Sequence, residues 1–466
     1  YIITTYQGSP YQMNLNKNIF RAYDIRGIAY EELSEEIVPF IGKALGTNSI
    51  RSGQDSLIVA RDGRNSSPDL LKWITKGIKA SGCNVIDIGI APTPVLYFAT
   101  HKLSSPNGIM ITGSHNPGNY NGFKIVENKK TLSGEAIQKI KEMILDEDFL
   151  DGNGTKSTFD IKADYMRFIF KDLKLKRPIR IGIDCGNGAA SVIAEQVYKG
   201  LGCEVFPLFS ELDGNFPNHH PDPSKAENLE DLKKLVLDNN LEVGLAFDGD
   251  ADRLGVVSKK GEMIFPDKQM IIFSNSILDN QKGKIVFDVK CSKLLSDSIE
   301  KAGGTPIMSK TGHSYIKECI YRENALLGGE MSGHIFFNDR WPGFDDGIYA
   351  GARMLEIISE TSKEEDIFIN LPELISTPEI NIESSDEEKF EVVEEFISLA
   401  KYENSETILI DGARIEFEFG WGLLRASNTS PNLVLRFEAN NQKNLDLIKK
   451  LFKETLKKIN PNLRNF

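Results

Sequence analysis

Three similar α/β domains with mixed sheets, followed by a differently built α+β domain, are the architecture that we predict from this sequence. The first observation is a repeated plan: a β-rich run ending in Asp, a polar turn, an amphipathic helix, a Gly and a second strand. The second is the length of 466 residues, which at roughly 150 residues per domain suggests about three or four domains. The third is a change of pattern after about residue 374, where the repeated plan stops.

The repeated plan occurs in three segments of the chain. They are Leu57–Asp62 leading to Gly82, Ile181–Asp184 leading to Gly202, and Ile285–Asp288 leading to Gly303. Each interval between the Asp and the Gly leaves room for one crossover helix, and therefore for a right-handed βαβ unit. Because the segments lie whole domains apart, they indicate repeated domains and not a solenoid.

Helix signals and composition define the remaining elements. Ser67 before Pro68 is typical of a helix N-cap, and the glycines that close the repeats are typical helix stops. The last segment predicts a helix from Asp386 to Ala400, short strands including Ala413–Phe419, and a final helix from about Asn444 to Ile459. We predict domain boundaries that give domains 1–158, 159–261, 262–374 and 375–466, and we expect residues 1–12 to be an expression leader.

Charge and composition exclude several classes of protein. The chain has 55 basic and 67 acidic residues, a net charge of −12, and no long Lys/Arg block, which argues against a nonspecific nucleic-acid binder. No apolar run approaches the ~18 residues of a membrane span, and no signal peptide is visible. The five cysteines are odd in number and widely spaced, which argues against a disulfide framework or a structural zinc site and favours the cytoplasm. An enzyme or a small-ligand binder is the remaining expectation.

Three carboxylates at alternate positions, those of Asp248, Asp250 and Asp252, follow the apolar run Val243–Phe247. Such closely spaced carboxylates repel one another and need a cation, and hard oxygen ligands select Mg²⁺ or Ca²⁺ over zinc or copper. The spacing does not fit an EF-hand, because its sixth position, which requires Gly, holds Arg253. The alternative interpretation is an acidic surface turn.

A second polar segment, Thr112–Pro117, follows the apolar strand Gly108–Ile111 and places Ser114 next to His115. A serine on a glycine-adjacent turn, beside an imidazole, can be a nucleophile or a phosphoryl carrier. An ordinary turn is the equally ranked alternative. The G-x-S-x-G elbow of the α/β-hydrolases is absent.

Two further loops carry groups suited to a phosphorylated sugar. The segment Arg425–Pro431, followed by Arg436, combines a guanidinium, hydroxyls and an amide, which are donors for a phosphate dianion. Its alternative is a polar loop that caps its own backbone. The segment Gly328–His334 offers an acid, a hydroxyl and an imidazole that suit the hydroxyl groups of a sugar.

These four loops, in this order and together with the run Phe20–Gly27, resemble the α-D-phosphohexomutase superfamily over residues 20 to about 460. The residue sequences of Gly329–His334 and Ala22–Gly27 are similar to those of the phosphomannomutase/phosphoglucomutase branch. The resemblance implies three similar α/β domains and a distinct fourth domain around a central cleft. It also implies that the fourth domain closes over the ligand as a lid.

The resemblance implies an isomerase that reversibly interconverts hexose 1-phosphates and hexose 6-phosphates of mannose or glucose. Ser114 would be a phosphoserine whose phosphate completes a Mg²⁺ site formed by Asp248, Asp250 and Asp252. Phosphate transfer to the sugar would give a 1,6-bisphosphate that reorients before it returns its other phosphate. Glucose 1,6-bisphosphate or mannose 1,6-bisphosphate is then the expected activator, and a monomer with no nucleic-acid or membrane partner is expected.

The family pattern also implies individual roles. Glu330 and Ser332 would bind the 3- and 4-hydroxyls of the sugar in either orientation. The 2-hydroxyl, at which glucose and mannose differ, would then not be recognised, and both sugars would be accepted. The non-reacting phosphate would be held by Arg425, Ser427, Asn428 and Thr429. Proton transfer is assigned to Lys124, His115 or Arg26, and Arg253 would hold the phosphoserine or the substrate. The cleft would also be lined by Tyr23, Lys290, His313 and His334, whereas His219 and His220 are read as structural.

Several alternatives remain open from the sequence. Close ones are a phosphoglucosamine mutase and a hexose 1,6-bisphosphate synthase built on the same machinery. More distant ones are a phosphatase with an aspartate nucleophile, a sugar-phosphate sensor without activity, and a Ca²⁺-dependent binding module. The chain departs from the family at Gly118-Asn119, where a second Pro is frequent, and we expect a more mobile loop there.

Overall fold

The computed structural model describes residues 15–385, 387–428 and 430–461, which form four β-sheets with helices packed on them. The predicted leader, Asp386 and the candidate phosphate ligand Thr429 lie outside the described residues. Among the described residues, no helix combines the length and apolar character needed to span a membrane. All five cysteines are free and buried.

The first domain contains a seven-stranded mixed sheet. Its strands are β1 (Ile25–Ile28), β2 (Ser56–Arg61), β3 (Asn84–Ile90), β4 (Gly108–Ile111), β5 (Tyr120–Glu127), β6 (Lys130–Thr131) and β7 (Lys156–Thr158). Its helices are α1 (Val38–Arg51), α2 (Ser67–Ala80), α3 (Thr93–Lys102) and α4 (Glu135–Leu145), with a 3₁₀ turn at Lys17–Ile19. The strand order is β1-β5-β4-β2-β3-β7, and β6 pairs with β5.

The second domain contains a five-stranded sheet of order β12-β11-β10-β8-β9. Its elements are α5 (Lys162–Asp172), β8 (Arg180–Asp184), α6 (Ala194–Gly200), β9 (Glu204–Leu208), α7 (Glu230–Asp238), β10 (Val243–Phe247), β11 (Leu254–Ser258) and β12 (Met263–Ile264). Short 3₁₀ turns at Ala189–Val192 and Ala226–Leu229 precede α6 and α7.

The third domain contains a four-stranded sheet of order β14-β13-β15-β16. Its elements are α8 (Pro266–Asn280), β13 (Lys284–Asp288), α9 (Lys293–Lys301), β14 (Thr305–Ser309), α10 (His313–Glu323), β15 (Leu327–Gly329), β16 (Ile335–Phe337) and α11 (Gly347–Ser359).

The fourth domain is built differently, with an antiparallel sheet of order β17-β22-β21-β20-β19 and β18 paired with β22. Its elements are β17 (Ile375–Ser376), β18 (Ile380–Glu383), α12 (Glu388–Leu399), β19 (Ser405–Ile408), β20 (Ala413–Phe417), β21 (Gly420–Ala426), β22 (Asn432–Ala439) and α13 (Gln442–Ile459). The strand predicted to reach Phe419 ends at Phe417, because the chain turns there into β21.

The first three domains share one four-stranded unit, which confirms the predicted repeats. Each unit has its first strand between two parallel neighbours, and the last of these neighbours pairs with a fourth, antiparallel strand. The orders are β3-β2-β4-β5, β9-β8-β10-β11 and β14-β13-β15-β16. Gly82, Gly202 and Gly303 follow the crossover helices with positive φ of 92°, 95° and 79°, a conformation that suits glycine as a helix stop.

One helix start differs from the prediction. Helix α2 begins at Ser67 itself, so Ser67 is not the N-cap, and Ser66, which precedes it, makes no side-chain capping bond. The Ser67 hydroxyl instead donates to Asp62 Oδ1 at 2.7 Å. This buried carboxylate at the end of β2 therefore draws the hydroxyl away from the helix backbone.

A continuous hydrophobic core joins the first three domains, whereas the fourth has its own core. Phe98 of the first domain stacks on Trp341 of the third and makes an edge contact with Tyr165 of the second. The fourth domain meets the third through a small hydrophobic cluster around Trp421. It also meets it through Arg414, which donates to the Val289 and Cys291 carbonyls of the third domain. The first three domains thus form one base against which the fourth is held.

Candidate active site

Four loops meet in the cleft, and three of them occupy the same place in the repeated unit. We call them the serine loop (residues 112–119, between β4 and β5), the Asp loop (248–253, between β10 and β11), the sugar loop (330–334, between β15 and β16) and the phosphate loop (425–431, from the last two residues of β21 to the start of β22). In each repeat the loop joins the third parallel strand to the antiparallel one. The shared topology therefore places the serine loop, the Asp loop and the sugar loop at equivalent edges of the three sheets.

The serine loop lies directly on the Asp loop. Ser114 is buried, has a left-handed φ of 49°, and places its Oγ 3.2 Å from Asp248 Oδ2. His115 Nδ1 lies 3.3 Å from the same Oγ. A Cβ atom on Gly249 would stand 2.3 Å from the Ser114 carbonyl oxygen, so only glycine permits this approach. Burial, with Arg253 and Arg26 nearby, holds the pKa of His115 well below its usual range.

The Asp loop carries three fully buried carboxylates, and its main cation is Lys124 of strand β5. Lys124 Nζ lies 2.6 Å from Asp250 Oδ2 and also donates to Asp252 Oδ2. Burial disfavours the charge on Lys124, but the two carboxylates outweigh it and hold its pKa well above the usual range. Thr93 supports the loop, since its hydroxyl donates to Asp250 Oδ2 and its amide donates to the Asp250 carbonyl at 2.9 Å.

The donor set of the Asp loop fits a hard divalent cation. Ligand oxygens of Asp248, Asp250 and Asp252 lie within 4.8 Å of one another. Asp250 Oδ1 is buried and has no hydrogen-bond partner among the described residues, so it is available to a cation. Burial, together with Asp252 and Asp250, raises the pKa of Asp248 well above its usual range, as expected for carboxylates crowded without sufficient positive charge. Oxygen donors of this kind are those that Mg²⁺ prefers.

The sugar loop reaches the Asp loop through His334. His334 Nδ1 lies 2.8 Å from Ser332 Oγ and 3.1 Å from Glu330 Oε2, and its Nε2 lies 3.3 Å from Asp252 Oδ1. Burial opposes a charge on His334, but the facing carboxylates raise its pKa to about 9. Arg253 completes this group, with its Nε 3.3 Å from His334 Nε2 and 3.7 Å from Asp248 Oδ2.

His313 stands at the start of α10, above the sugar loop. The amide of the preceding Gly312 donates to Glu330 Oε1, which orients that carboxylate. His313 Nδ1 is buried, finds no hydrogen-bond partner in the described part of the chain, and lies 3.8 Å from Asp345 Oδ2. Burial and the neighbouring Lys317 hold the pKa of His313 well below its usual range.

The phosphate loop approaches the cleft from the fourth domain. Arg425 Nε donates to Asp411 Oδ2 at 2.8 Å, and the side-chain amide of Asn428 donates to the Tyr23 hydroxyl at 2.7 Å. Ser427 is buried in the same loop. Tyr23 in turn donates to the Thr311 carbonyl at 3.0 Å. One contact chain therefore links the first, third and fourth domains.

Two further cations line the same cleft. Lys290 Nζ lies 3.0 Å from Glu379 Oε2, which comes from the fourth domain, and 4.0 Å from Asp288 Oδ2. Arg26 on β1 is partly exposed, and its Nε donates to Asp24 Oδ2 at 3.0 Å. Each of these cations is therefore paired with a carboxylate of the protein itself.

The structure brings the described candidate residues into one cleft, but it also adds residues that the sequence analysis did not identify. These are Arg64, which binds the serine loop, Thr93 and Asp345, which border the Asp and sugar loops, and Asp411, which binds Arg425. Arg64 lies two positions after Asp62, the terminal Asp of the first repeat, but its partners are distant in the sequence. His219, which the sequence analysis reads as structural, has its Nε2 3.0 Å from Asp184 Oδ2.

Four family models match the chain in the order of its four domains. The phosphoglucomutase/phosphomannomutase alpha/beta/alpha domains I, II and III match residues 17–151, 163–261 and 265–373, and the C-terminal domain of the same family matches residues 379–455. The chain belongs to the phosphoglucomutase/phosphomannomutase family. The resemblance drawn from its loops is thereby confirmed.

Relatives of this family align over nearly the whole chain. A phosphomannomutase/phosphoglucomutase of Pseudomonas aeruginosa is 47% identical over 451 residues, which cover 96% of this chain and 97% of that protein. A phosphoglucomutase of Neisseria gonorrhoeae is 48% identical over 455 residues, which cover 97% and 99%. The crystal structure of a phosphoglucomutase/phosphomannomutase family protein of Burkholderia thailandensis has 42% identity and a TM-score of 0.92, covering 96% of this chain and 99% of that one.

Proposed function

We propose that this chain is a phosphomannomutase/phosphoglucomutase that reversibly interconverts the 1-phosphates and 6-phosphates of glucose and mannose. The observation that carries the proposal is the 3.2 Å approach of Ser114 Oγ to Asp248 Oδ2, which joins a candidate phosphoryl carrier to a three-carboxylate loop. A serine at a cation site can hold a phosphoryl group and pass it on. The names of relatives 47–48% identical over nearly the full chain support the same reaction.

We propose Mg²⁺ as the cation, held by Asp248, Asp250, Asp252 and an oxygen on Ser114. When bound, it supplies positive charge to the phosphoryl group that is being transferred. The buried carboxylates and the available Asp250 Oδ1 support this assignment. Zinc is disfavoured because these three ligands offer only oxygen.

Side chains of the protein itself are assigned to proton exchange and to the stabilisation of negative charge. His115 Nδ1, at 3.3 Å from Ser114 Oγ, is placed to exchange a proton with the serine hydroxyl. Lys124 is held as a cation by Asp250 and Asp252, so it can stabilise negative charge on the transferring phosphate. Arg253 and Arg26 lie next to His115 and add positive charge at the same point.

Turnover of both phosphate positions requires a site that holds the sugar in two orientations. We assign the non-reacting phosphate to Arg425, Ser427, Asn428 and Thr429 of the phosphate loop, and the sugar hydroxyls to Glu330 and Ser332. Glu330 is buried and oriented by the Gly312 amide, which suits a fixed acceptor for hydroxyl donors. Tyr23, Lys290, His313 and His334 are assigned to the walls of the same cleft.

The remaining features of the enzyme follow from the same assignment. Glucose 1,6-bisphosphate or mannose 1,6-bisphosphate would phosphorylate Ser114 and so act as activator. We propose a monomeric enzyme in a reducing cytoplasm, with hexose phosphates as its ligands, and the five free thiols support the reducing compartment.

The test is conversion of glucose 1-phosphate and mannose 1-phosphate to their 6-phosphates with Mg²⁺, with and without glucose 1,6-bisphosphate. We expect both sugars to react and the Ser114→Ala variant to be inactive, while the exposed control Ser398→Ala remains active. Glucosamine 1-phosphate serves as a third substrate, and exclusive turnover of it would overturn the proposal. Net release of bisphosphate without 6-phosphate would instead identify a bisphosphate synthase.

A further inference from the structure

Arg64 is a charged side chain that is completely buried behind the serine loop, at only 1% exposure. It lies just after β2, and no step of the proposed function uses it. All five of its side-chain N–H donors are engaged. Its Nε donates to Asp62 Oδ2 at 3.1 Å, so the charge of the guanidinium has a buried partner.

The other four donors bind backbone carbonyl oxygens of the serine loop and its exit. Arg64 Nη2 donates to the carbonyls of Ser114 and Asn116, both at 2.7 Å. Its Nη1 donates to the carbonyls of Pro117 at 2.6 Å and Tyr120 at 3.0 Å. A single planar side chain therefore fixes the backbone of the whole turn that carries Ser114.

The loop depends on this contact for two reasons. Ser114 has a left-handed φ of 49°, which a non-glycine residue adopts only when its surroundings impose it. The buried Ser114 carbonyl would also lose this donor if the guanidinium were removed, and an unpaired buried carbonyl is destabilising. The contact is tight, because a Cβ atom on Gly113 would lie 2.5 Å from Arg64 Cζ.

Asp62 connects the two sides of this arrangement. Its Oδ2 accepts from Arg64 and, at 3.4 Å, from the Gly113 amide, while its Oδ1 accepts from the Arg64 amide at 3.0 Å. The end of β2, the guanidinium and the start of the serine loop thus form one network. On the far side, the ring of Phe216 from the second domain lies 5.1 Å from Arg64 Cζ.

We propose that Arg64 is a positioning residue for phosphoryl transfer, which holds the serine loop so that Ser114 Oγ stays beside Asp248. This role rests on the proposed function of Ser114. Arg64 itself contacts neither the candidate sugar loop nor the phosphate loop in the hydrogen bonds of the described residues. Its loss should therefore affect transfer more than the binding of hexose phosphate.

The first test compares Arg64→Lys with the control Arg61→Met. Lysine keeps the charge beside Asp62 but lacks the planar fork that reaches four carbonyls. Arg61 ends the same strand and is half-buried, and its side chain makes a long 3.4 Å bond to the Asp62 carbonyl. We expect kcat of R64K to fall on the order of tenfold to a hundredfold, the range that misplaced reacting groups produce. KM should stay within about twofold, and R61M should match the wild type.

Gly113→Ala is a second variant, which keeps arginine at position 64. Its added Cβ would displace the guanidinium from the loop, so we expect the same fall in kcat without removal of any charge. Hydrogen exchange of the peptide spanning residues 112–120 gives a readout without substrate. Exchange in this peptide should accelerate in R64K and G113A but not in R61M.

The outcomes separate this proposal from the proposed function. Folded R64K and G113A proteins with wild-type kcat and wild-type loop exchange would overturn the positioning role. So would a loss of activity that only follows the unfolded fraction. If the wild type converts no hexose phosphate, the proposed function fails, and the exchange of the loop still decides whether Arg64 positions it.

Discussion

The side-chain amide of Asn428 donates a 2.7 Å hydrogen bond to the hydroxyl of Tyr23, which joins the fourth domain to the first across the cleft. Tyr23 also contacts the third domain, because its hydroxyl donates to the Thr311 carbonyl at 3.0 Å. Its ring also makes edge contacts with His313 and Tyr315. A single hydroxyl therefore bridges residues of three domains.

Removal of that hydroxyl in Tyr23→Phe is expected to favour an open cleft. An intramolecular hydrogen bond contributes about 1 kcal/mol, so each lost bond shifts the balance of closed and open forms about fivefold. We expect a larger radius of gyration in solution scattering without substrate, and a KM for hexose 1-phosphate raised by at most about fivefold, because one of the lost bonds joins the fourth domain to the first. The control is Tyr30→Phe, which removes a 3.1 Å bond to Asp69 at the surface. Unchanged scattering of the Y23F protein would refute the bridging role.

Lys124 is expected to compete with the metal for the carboxylates of the Asp loop. Its Nζ binds Asp250 and Asp252 in a fully buried setting, and removal of one partner from a buried ion pair typically costs about 3–5 kcal/mol. We predict that Lys124→Met is destabilised by about this amount without metal. Mg²⁺ should then raise its free energy of unfolding more than that of the wild type, since binding to the folded state stabilises it. Urea denaturation with and without Mg²⁺ measures both effects.

The matched control is Lys156→Met, which removes a 2.8 Å ion pair with Asp87 from a side chain that is 37% exposed. Exposed pairs contribute about 0–1 kcal/mol, so this variant should unfold like the wild type and respond equally to Mg²⁺. An equal response of K124M and the wild type to Mg²⁺ would contradict the competition.

The sequence predicted the repeats because their signals are local. An apolar strand, its terminal Asp and a glycine with positive φ lie within one βαβ unit, as in the segment from Leu57 to Gly82. The four loops were identified for the same reason, since each carries its chemistry within a few residues. The exact start of α2 was missed because Asp62, five positions earlier and just after β2, accepts a hydrogen bond from the Ser67 hydroxyl.

The supporting residues could not be found in this way because their roles exist only between distant segments. Arg64 binds carbonyls that lie about fifty positions further along the chain, and a carbonyl carries no side-chain signature in the sequence. Thr93 meets Asp250 from another domain, and Asp411 meets both Arg425 and the Thr311 amide. A sequence shows which groups are available, but such pairs require the fold.

His219 gives a stability contribution that depends on pH. Its Nε2 lies 3.0 Å from Asp184 Oδ2 and its Nδ1 lies 2.9 Å from the His220 carbonyl, and both contacts are satisfied at once only by the charged ring. Burial lowers the pKa of His219, but the bond to Asp184 outweighs burial, and the net pKa is raised. A histidine whose pKa is higher in the folded than in the unfolded state stabilises the fold fully at pH values below the unfolded-state pKa. This stabilisation is lost as the pH rises through the folded-state pKa.

We therefore expect His219→Gln to lower the free energy of unfolding by about 1 kcal/mol at about pH 5.5 and by much less at about pH 9. Urea titrations at the two pH values measure the difference. His220→Gln is the comparison, because burial lowers the pKa of His220 and the dependence on pH should have the opposite sign. A loss in H219Q that is the same at both pH values would refute the charged contact.

Arg414 is expected to control how firmly the fourth domain is held. Its Nη1 donates to the carbonyls of Val289 and Cys291, both at 2.7 Å, and its guanidinium lies 3.9 Å from the centre of the Trp421 ring. Substitution by Met leaves two buried carbonyls without a donor, at a cost of about 1–3 kcal/mol each. Because the fourth domain has a core of its own, this loss weakens its attachment more than its interior.

Arg414→Met should therefore unfold in two separated calorimetric transitions, with the fourth domain melting first, whereas the wild type should unfold more cooperatively. The control is Arg51→Met, which removes a surface ion pair with Asp148 and should leave the transition unchanged. A shift of the whole transition to lower temperature without separation would mean that Arg414 stabilises the chain globally. Separation in R414M together with a raised KM would show that docking of the fourth domain is coupled to the binding of the substrate phosphate.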